Sequence, residues 1–240
     1  MPSEGTAAEV STTATAIVTG SSSGIGEAIA NRLLAEGWKV RGFDIAPPRI
    51  EHPAFEALRV DLCDGGEVQA AAMAAREAAA LVHAAGVLRV GPLGSLRAAD
   101  GELMWRLHVD AATRLADVLL PAMAARRAGR VVLIGSRVAQ GKAGRSLYAA
   151  SKAALVALAR SWAAEVIGAG ITVNVVSPAA TQTAMLDDPA RQGEPPLLPP
   201  LGRLIQPEEV ASLVSYLLSP AAAAITGQDI QICGGASLPR

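Results

Sequence analysis

A tyrosine and a lysine four residues apart are the first side chains in this sequence that suggest chemistry. In the stretch SLYAASKAAL, residues 146–155, Tyr148 is one of only two tyrosines and precedes Lys152 by four positions. On a helix this spacing puts both groups on one face. A phenol with its ordinary pKa of ~10 is a poor base at neutral pH, but a nearby ammonium lowers that pKa. The stretch alone is equally compatible with the start of a helix whose two side chains never meet.

A glycine-rich turn is the second candidate. The segment AIVTGSSSGIGEAIANRLL places Gly20, Gly24 and Gly26 between a β-branched run and a helix-like one. Glycines let the backbone approach a pyrophosphate closely, and the first turn of a helix offers free N–H groups and a partial positive charge. Because the turn follows the first strand, it indicates a dinucleotide site. A tight turn that binds nothing is the alternative.

An acidic residue at the end of the second strand bears on which dinucleotide binds. Asp44 lies eighteen residues after the last glycine of the turn, where a carboxylate accepts hydrogen bonds from the adenosine ribose and repels a 2′-phosphate. The turn contains no arginine or lysine, and Ser23 precedes its second glycine. The sequence therefore favours NAD over NADP, with a solvated loop acid as the alternative. Asp61, with Leu62 beside it, is a weaker candidate for contact with the adenine amino group.

The residues between these groups predict the elements that must position them. Short β-branched runs alternate with long alanine-rich segments. Strands are predicted at 15–20, 39–44, 55–61, 80–86, 129–136, 171–178 and 228–235, and helices at 24–36, 66–78, 102–127, 148–167 and 207–218. The strands are apolar throughout, as in a parallel sheet covered on both faces. This alternation predicts an α/β fold, a doubly wound parallel sheet of about seven strands with helices on both faces.

The same pattern predicts the domain organisation. We expect a loose tail at 1–12 and a single dinucleotide-binding catalytic domain at 13–240. The irregular stretch DDPARQGEPPLLPPLGR, with five prolines, interrupts the alternation. Its position within the domain predicts a short substrate lid near 184–204.

Composition excludes several classes of function. Hydrophobic residues make up 51% and charged residues 18% of the chain, and the net charge is -1. This balance indicates a globular protein without the excess of positive charge that binding to nucleic acid or to an anionic membrane would require. The two cysteines, Cys63 and Cys233, have no paired spacing, so neither a disulfide framework nor a metal site is expected. Without a signal peptide or a membrane-spanning segment, the sequence predicts a cytoplasmic protein.

Four motifs together resemble a known family. They are TGSSSGIG, HAAG, a serine twelve residues before YAASK, and NVVSPAATQT. In combination they resemble the short-chain dehydrogenase/reductases, over residues from about 14 to 235. The resemblance implies a Rossmann-like fold, NAD(P)-dependent oxidoreductase activity and a homotetramer.

The resemblance also implies a role for each matching residue. Tyr148 matches the family's catalytic acid/base, Lys152 its electrostatic partner, and Ser136 the group that hydrogen-bonds the substrate oxygen. Lowering a phenol pKa from ~10 to ~7–8 requires about 3–4 kcal/mol of preferential phenolate stabilisation. A lysine ammonium and an oxidised nicotinamide, both cationic, would supply it together, so that the phenol takes the alcohol proton as hydride leaves.

Further residues of the motifs would hold the cofactor. Lys152 would contact the nicotinamide ribose and Thr183 the carboxamide, while Asn174 matches a structural asparagine. The predicted cofactor-binding set is Gly20, Ser22, Ser23, Gly24, Ile25, Gly26, Asp44, Asp61, Leu62, Ala84, Ala85, Gly86, Tyr148, Lys152, Pro178, Ala179, Thr181 and Thr183.

The sequence departs from the family pattern on its fourth helix. The family usually has an asparagine there, and the backbone carbonyl of that asparagine holds a water that is hydrogen-bonded to the lysine. Counting without gaps from the motifs on either side places His108 at this position. A two-residue shift would give Asp110. A backbone carbonyl does not depend on its side chain, so catalysis should survive. His108 is therefore included among the catalytic residues as a candidate member of a proton relay, with a packed helix histidine as the alternative.

Two further departures concern the backbone and the sheet. Ala179 replaces a glycine after Pro178, which would alter the loop at the nicotinamide end if that position needs positive φ. His83 and Ala84 replace a common pair of asparagines, which removes a side-chain brace across the sheet. The segment between Asp61 and His83 is also short and implies a trimmed third helix.

Residues near the motifs suggest the kind of substrate. Pocket candidates by position are Leu88, Arg89, Val138, Gln140, Leu147, Ala180, Met185 and Leu186, of which Val138, Gln140 and Met185, with Ser136 and Tyr148, are predicted to bind substrate. Most are apolar, which suits a small or medium ketone or secondary alcohol. Arg137 and Arg145 flank the site and could bind a carboxylate or phosphate, although exposed arginines often bind nothing.

Three functions remain open from sequence alone. The leading hypothesis is an NAD-dependent oxidoreductase for a secondary alcohol/ketone pair, with a cyclic alcohol or dihydrodiol as candidates. The second is a 3-oxoacyl-thioester reductase of fatty-acid type, which Asp44 and the single arginine Arg160 on the helix after Tyr148 disfavour. The third is a dinucleotide-sensing protein without turnover, against which the intact Ser136, Tyr148 and Lys152 argue.

Overall fold

The computed structural model describes residues 14–187 and 197–239. Seven parallel strands form one sheet in the order β3-β2-β1-β4-β5-β6-β7. They are β1 (Thr15–Thr19), β2 (Lys39–Asp44), β3 (Phe55–Arg59), β4 (Ala80–His83), β5 (Gly129–Ile134), β6 (Ile171–Pro178) and β7 (Asp229–Ile232). The predicted fold class is confirmed. Strand order reverses between β1 and β4, and at such a switch point the carboxyl ends of the strands open a crevice for a ligand.

Helices cover both faces of the sheet. They are α1 (Gly24–Ala35), α2 (Gly65–Ala74), α3 (Ala98–Trp105), α4 (Ala111–Arg126), α5 (Ser146–Val166) and α6 (Pro207–Leu218). Helices α1 and α6 pack on one face through side chains such as Leu33 and Val214. Helices α2, α4 and α5 pack on the other through Val68, Leu115 and Leu155. Within the described ranges, no helix combines the length and the apolar character needed to cross a membrane.

The long helix predicted at 102–127 differs from the prediction in a way that matters for the site. Helical structure begins earlier, at Ala98, and a π-helical turn, Arg106–Asp110, separates α3 from α4. Inside this turn the backbone bond runs from the Ala111 N–H to the Arg106 carbonyl. An extra residue per turn rotates the following side chains relative to a regular helix. His108 lies in this turn and is fully buried.

Other boundaries differ by a few residues. The predicted strand 80–86 ends at His83, because the N–H groups of Ala84 and Ala85 donate to the Thr19 hydroxyl at 3.0 and 3.1 Å. The predicted helix at 66–78 is the ten-residue α2, which agrees with the trimmed third helix. The predicted tail at 1–12 and lid residues 188–196 lie outside the described residues.

Candidate active site

The glycine turn brings the end of β1 into close contact with the start of α1. Gly20 has a φ of +69°, and a Cβ there would lie 2.8 Å from the Cα of Ala85. A Cβ on Gly26 would overlap the carbonyl oxygen of Gly20. Only glycine permits this packing, which leaves the N-terminus of α1 exposed to the crevice. The turn therefore fits the pyrophosphate of a dinucleotide.

Asp44 is held in place by the same turn. Its Oδ2 accepts from the Ser22 backbone N–H at 2.9 Å, and its Oδ1 accepts from the Ala46 N–H at 2.9 Å. The Ser22 hydroxyl donates to the Ala46 carbonyl at 3.1 Å. Ser22 therefore serves the site by orienting the carboxylate and does not itself line the cavity.

One cavity of about 720 Å³ joins the predicted cofactor and catalytic residues. It contains every residue of the predicted cofactor set except Ser22, together with Ser136, Val138 and Met185. Gln140 is exposed and His108 is buried beneath the surface, and neither lines it. Leu147 and Arg89 line a small neighbouring cleft instead.

Several lining residues were not predicted from sequence. They are Ile45, Val60, Cys63, Val87, Leu103, Leu107, Ile134, Gly135, Lys142, Ala184, Leu197, Leu198 and Ala236. Seven of the thirteen lie within two positions of the end of a predicted strand, so the strand ends were the signal that could have found these seven. The other six carry no such signal, because helical turns and irregular segments bring them to the cavity: Leu103, Leu107, Lys142, Ala184, Leu197 and Leu198.

The tyrosine and lysine meet at the cavity wall, as their spacing predicts. Both lie on the first two turns of α5, and the Lys152 Nζ is 5.9 Å from the centroid of the Tyr148 ring. Nζ also donates to the Ile134 carbonyl at 2.8 Å. Burial lowers the pKa of Lys152 to about 7, because desolvation disfavours its charged form. A phenolate at Tyr148 would stabilise the ammonium form of Lys152, and that ammonium would stabilise the phenolate. The two groups are therefore electrostatically coupled.

Ser136 lies opposite them at the end of β5. It caps the 3₁₀ turn Arg137–Gln140, and its Oγ accepts from the Val138 N–H at 3.2 Å. That bond uses one lone pair of the hydroxyl and leaves its O–H available to a substrate oxygen. Ser136, Tyr148 and Lys152 thus surround one end of the cavity, while the glycine turn, Asp44 and Asp61 surround the other.

Comparisons with known proteins agree with this geometry. A family model described as enoyl-(acyl carrier protein) reductase matches residues 20–237. The 2,3-dihydro-2,3-dihydroxybenzoate dehydrogenase of Escherichia coli (strain K12) is 36% identical over 238 residues, covering 92% of this chain and 96% of that protein. The 3-oxoacyl-(acyl-carrier-protein) reductase of Salmonella typhimurium is 35% identical over 234 residues, with the same coverage.

Solved structures agree as well. A short-chain dehydrogenase/reductase family protein superposes with a TM-score of 0.86 at 34% identity, over 92% of this chain and 96% of that one. The aldohexose dehydrogenase of Thermoplasma acidophilum superposes with a TM-score of 0.86 at 27% identity, over 95% of each chain. The chain belongs to the short-chain dehydrogenase/reductase family. It is an oxidoreductase, a short-chain dehydrogenase/ketoreductase.

The histidine that departs from the family pattern on the fourth helix is held by two hydrogen bonds. His108 Nε2 accepts from the Val87 N–H at 3.0 Å, so its Nδ1 carries the proton and donates to the Ser151 Oγ at 2.9 Å. Ser151 in turn donates to the Tyr148 carbonyl at 2.9 Å. The His108 ring also packs edge-on against Tyr148, with 5.7 Å between centroids. Burial, and then the Lys152 charge, lower the pKa of His108 well below its ordinary value.

The second histidine, His83, corrects an expectation. Its Nε2 donates to the Leu107 carbonyl at 3.1 Å, so its Nδ1 accepts from the Thr19 hydroxyl at 3.0 Å. The prediction that His83 removes a brace across the sheet is therefore wrong, because an imidazole spans the gap between β1 and the π turn. Burial, and then the Lys152 charge, lower the pKa of His83 to about 3.

The remaining departure and the structural asparagine are accommodated without strain. Among the described non-glycine residues only Arg127 has a positive φ, so alanine fits at position 179. Asn174 donates to the Ile225 carbonyl at 2.7 Å and accepts from the Gln228 N–H at 3.1 Å. It therefore ties β6 to the loop that precedes β7, in agreement with a structural role.

A bridge closes the base of the segment predicted to be a lid. Thr181 pairs with Ile205, with the Gln182 N–H donating to the Ile205 carbonyl at 2.8 Å. The Ile205 N–H donates to the Ala180 carbonyl at 3.0 Å. These bonds hold the two ends of the segment together beside Thr183. In the part of the chain that the structure describes, no cluster of three His, Cys, Asp or Glu side chains could hold a metal.

The buried His83 predicts a specific acid sensitivity. Its folded pKa lies below the ~6.5 of an unfolded histidine, so its contribution to stability is present above pH 6.5 and is lost progressively as the pH falls toward about 3. We expect up to about 1.4 kcal/mol of lost stability per pH unit from this residue. In urea denaturation at pH 7 and pH 4, the stability difference between wild type and His83→Asn should narrow at pH 4. The exposed His52→Asn variant is the control, and a difference that stays constant would contradict the prediction.

Proposed function

We propose that the protein is an NAD-dependent dehydrogenase that interconverts a small secondary alcohol and its ketone, with cyclic alcohols and dihydrodiols as the candidate substrates. The observation that carries the proposal is the single cavity with Asp44 at one end and Ser136, Tyr148 and Lys152 at the other. The relative named as a 2,3-dihydro-2,3-dihydroxybenzoate dehydrogenase supports a dihydrodiol.

The side chains divide the proton chemistry among them. Tyr148 Oη accepts the proton of the substrate alcohol, and the Lys152 charge stabilises the phenolate that does so. The Ser136 hydroxyl donates to the substrate oxygen and orients it. When bound, the nicotinamide exchanges hydride with the substrate carbon. In the reverse direction Tyr148 returns the proton to the oxygen of the ketone.

The adenosine end supports NAD over NADP. The Asp44 carboxylate is fixed by the Ser22 and Ala46 N–H groups at the cavity wall. None of the described residues lining this end, in the glycine turn, Asp44–Ile45 or Val60–Cys63, is an arginine or lysine. A 2′-phosphate here would meet a carboxylate without a compensating cation.

We assign His108 a positioning role in place of the proton relay. Both of its nitrogens are already bonded, to Val87 and Ser151, and it does not line the cavity. A relay through the ring would require breaking one of these bonds. The contacts connect the loop after β4 to the first two turns of α5, which carry Tyr148 and Ser151.

A 3-oxoacyl-thioester reductase remains the second candidate. The relative of that name is 35% identical, and the matching family model carries an acyl-carrier-protein description. Against it stand Asp44 and the helix α5, where Arg160 is the only arginine. Oxidation of 3-hydroxyacyl thioesters with NADP+ in preference to cyclic alcohols with NAD+ would favour this candidate.

We further propose a cytoplasmic homotetramer. Both cysteines are free thiols, as is usual in a reducing compartment. Trp105 at the end of α3 and Ile167 just after α5 are 46% and 42% exposed. These apolar side chains support an interface between subunits along these helices.

The Tyr148→Phe variant tests the chemistry. Removal of the phenolic hydroxyl should lower kcat at least about 10³-fold, because the acid/base assigned to the reaction is lost, while the Kd for NAD+ changes less than about threefold. The measurement is NAD+ reduction across a panel of secondary alcohols, cyclic diols and 3-hydroxyacyl thioesters. Full activity in the variant would rule out the assigned role. NAD+ binding without turnover of any substrate by the wild type would indicate a sensing protein.

The Asp44→Asn variant tests the cofactor preference. The amide removes the charge and one of the two oxygens that accept from the Ser22 and Ala46 N–H groups, so the ratio of kcat/KM for NADP+ to that for NAD+ should rise about tenfold or more. Glu51→Asn, an exposed acid on the following loop, controls for net charge. An unchanged ratio would mean that Asp44 does not contact the ribose.

The role of His108 is tested by comparing His108→Ala with His108→Asn. The alanine variant should lose about tenfold in kcat, and asparagine should restore part of that loss because it can donate and accept. The pH profile of kcat/KM should show the same ionisation steps in wild type and His108→Asn. Loss of one ionisation step in His108→Asn would instead support a proton relay through His108.

A further inference from the structure

A turn after β7 forms part of the cavity wall. Ala236 lies four residues beyond the end of β7 and lines the cavity. Among the described residues it is the only lining residue that follows Leu198 in the chain. Its carbonyl accepts from the Arg137 Nη1 at 3.4 Å, and Arg137 comes directly after Ser136 in the cavity wall. Ala236 therefore lies at the substrate end of the cavity.

This turn, residues 233–238, is fixed by its own backbone, and we call it the β7 turn. Gly234 and Gly235 have φ angles of +54° and +83°, a region that other residues rarely adopt. The Ala236 N–H donates to the Cys233 carbonyl at 3.0 Å, and the Leu238 N–H donates to the Gly235 carbonyl at 3.1 Å. The position of Ala236 is thus set by two glycines and two hydrogen bonds.

Neighbouring parts of the cavity wall hold the β7 turn from outside. The Ala179 N–H donates to the Ile232 carbonyl at 3.1 Å, directly before the turn, and the Leu201 N–H donates to the Gly234 carbonyl at 3.0 Å. A Cβ on Gly234 would lie 3.0 Å from the Leu201 Cβ, so the two segments are in close contact. The turn cannot retreat from the cavity without breaking these contacts.

Ala236 presents a small apolar surface to the cavity. Its N–H is bonded within the turn and its carbonyl to Arg137, which leaves the Cα and the methyl group to line the cavity. Val138, Met185 and Leu198, which line the same cavity, have larger apolar side chains. Any residue larger than alanine at position 236 would therefore occupy space that is open to the substrate.

We propose that Ala236 is a specificity-determining residue, whose small side chain on a fixed turn leaves room for a bulky apolar substituent on the ring of a cyclic secondary alcohol. One methylene more or less in an apolar pocket changes kcat/KM by about 10–200-fold. A larger side chain at this position should exclude the substituted ring and spare the unsubstituted one. This inference rests on the proposed function, in which Tyr148 accepts a proton from the substrate alcohol.

The test compares a bulky alcohol with a small one. The full-length enzyme is assayed with NAD+ and either 4-tert-butylcyclohexanol or cyclohexanol, and we expect the wild type to have at least as high a kcat/KM for the bulky alcohol. Ala236→Val should lower the bulky-to-small ratio of kcat/KM about tenfold, and Ala236→Leu should lower it further, mainly through KM. Ala70→Leu, the same change at an exposed alanine of α2, should keep the wild-type ratio.

The two enlarged variants keep the test decisive. If Ala236→Leu does not fold, the smaller change Ala236→Val still decides. An unchanged ratio in a soluble Ala236 variant overturns the proposal while leaving the dehydrogenase proposal intact. An equal loss for both alcohols also overturns it, because it would indicate a general structural effect of the substitution.

A binding measurement separates failure of this inference from failure of the proposed function. Both alcohols are titrated calorimetrically into the wild type and into Ala236→Val, each saturated with NAD+. Binding of the bulky alcohol that weakens about tenfold in the variant, while binding of cyclohexanol changes less than about threefold, supports the role of Ala236 even if neither alcohol is oxidised. Equal binding of the bulky alcohol by both proteins, or no binding of it by the wild type, overturns that role.

Discussion

The contact between the end of β1 and the end of β4 is the constraint on which the site depends. Gly20 packs against the backbone of Ala85, and the Thr19 hydroxyl accepts from two backbone N–H groups while it donates to His83. These bonds fix the point where the strand order reverses. The glycine turn, the loop after β4 and, through His83, the π turn are all positioned from this one place. A side chain larger than hydrogen at position 20 would separate them.

A balance of buried charge holds the catalytic end together. Lys152 is buried beside two imidazoles, and its charge helps to keep both of them neutral. Each neutral ring then has one donor and one acceptor nitrogen. His83 donates to the Leu107 carbonyl and accepts from the Thr19 hydroxyl. His108 donates to the Ser151 hydroxyl and accepts from the Val87 N–H. An asparagine side chain also has one hydrogen-bond donor group and one acceptor group, but it is shorter than a histidine side chain. The two histidines thus form one connected set of bonds from β1 to α5, although neither touches the cavity.

Pattern in the sequence predicts the features that depend on local geometry. The doubly wound parallel sheet, the glycine turn and the pairing of Tyr148 with Lys152 follow from periodicity and fixed spacing. The structure brings the glycine turn, Tyr148 and Lys152 to one cavity. The brace made by His83 could not be predicted, because its partners are 64 and 24 residues away and depend on the π turn. The exposed position of Gln140 and the cavity position of Lys142 depend on how an irregular turn is folded, for which the sequence offers no period. Gly141 and Gly144 were the only local signal for that turn.

The bridge between Thr181 and Ile205 fixes one part of the cavity wall. Thr183 lies beside the bridge at the cavity wall, and within the segment between the bridged residues the Leu201 N–H donates to the Gly234 carbonyl at 3.0 Å, which is a second point at which this segment is joined to the fold. These two attachments fix the backbone beside Thr183, so a change of side chain elsewhere in the described part of the segment need not move the cavity wall at that residue.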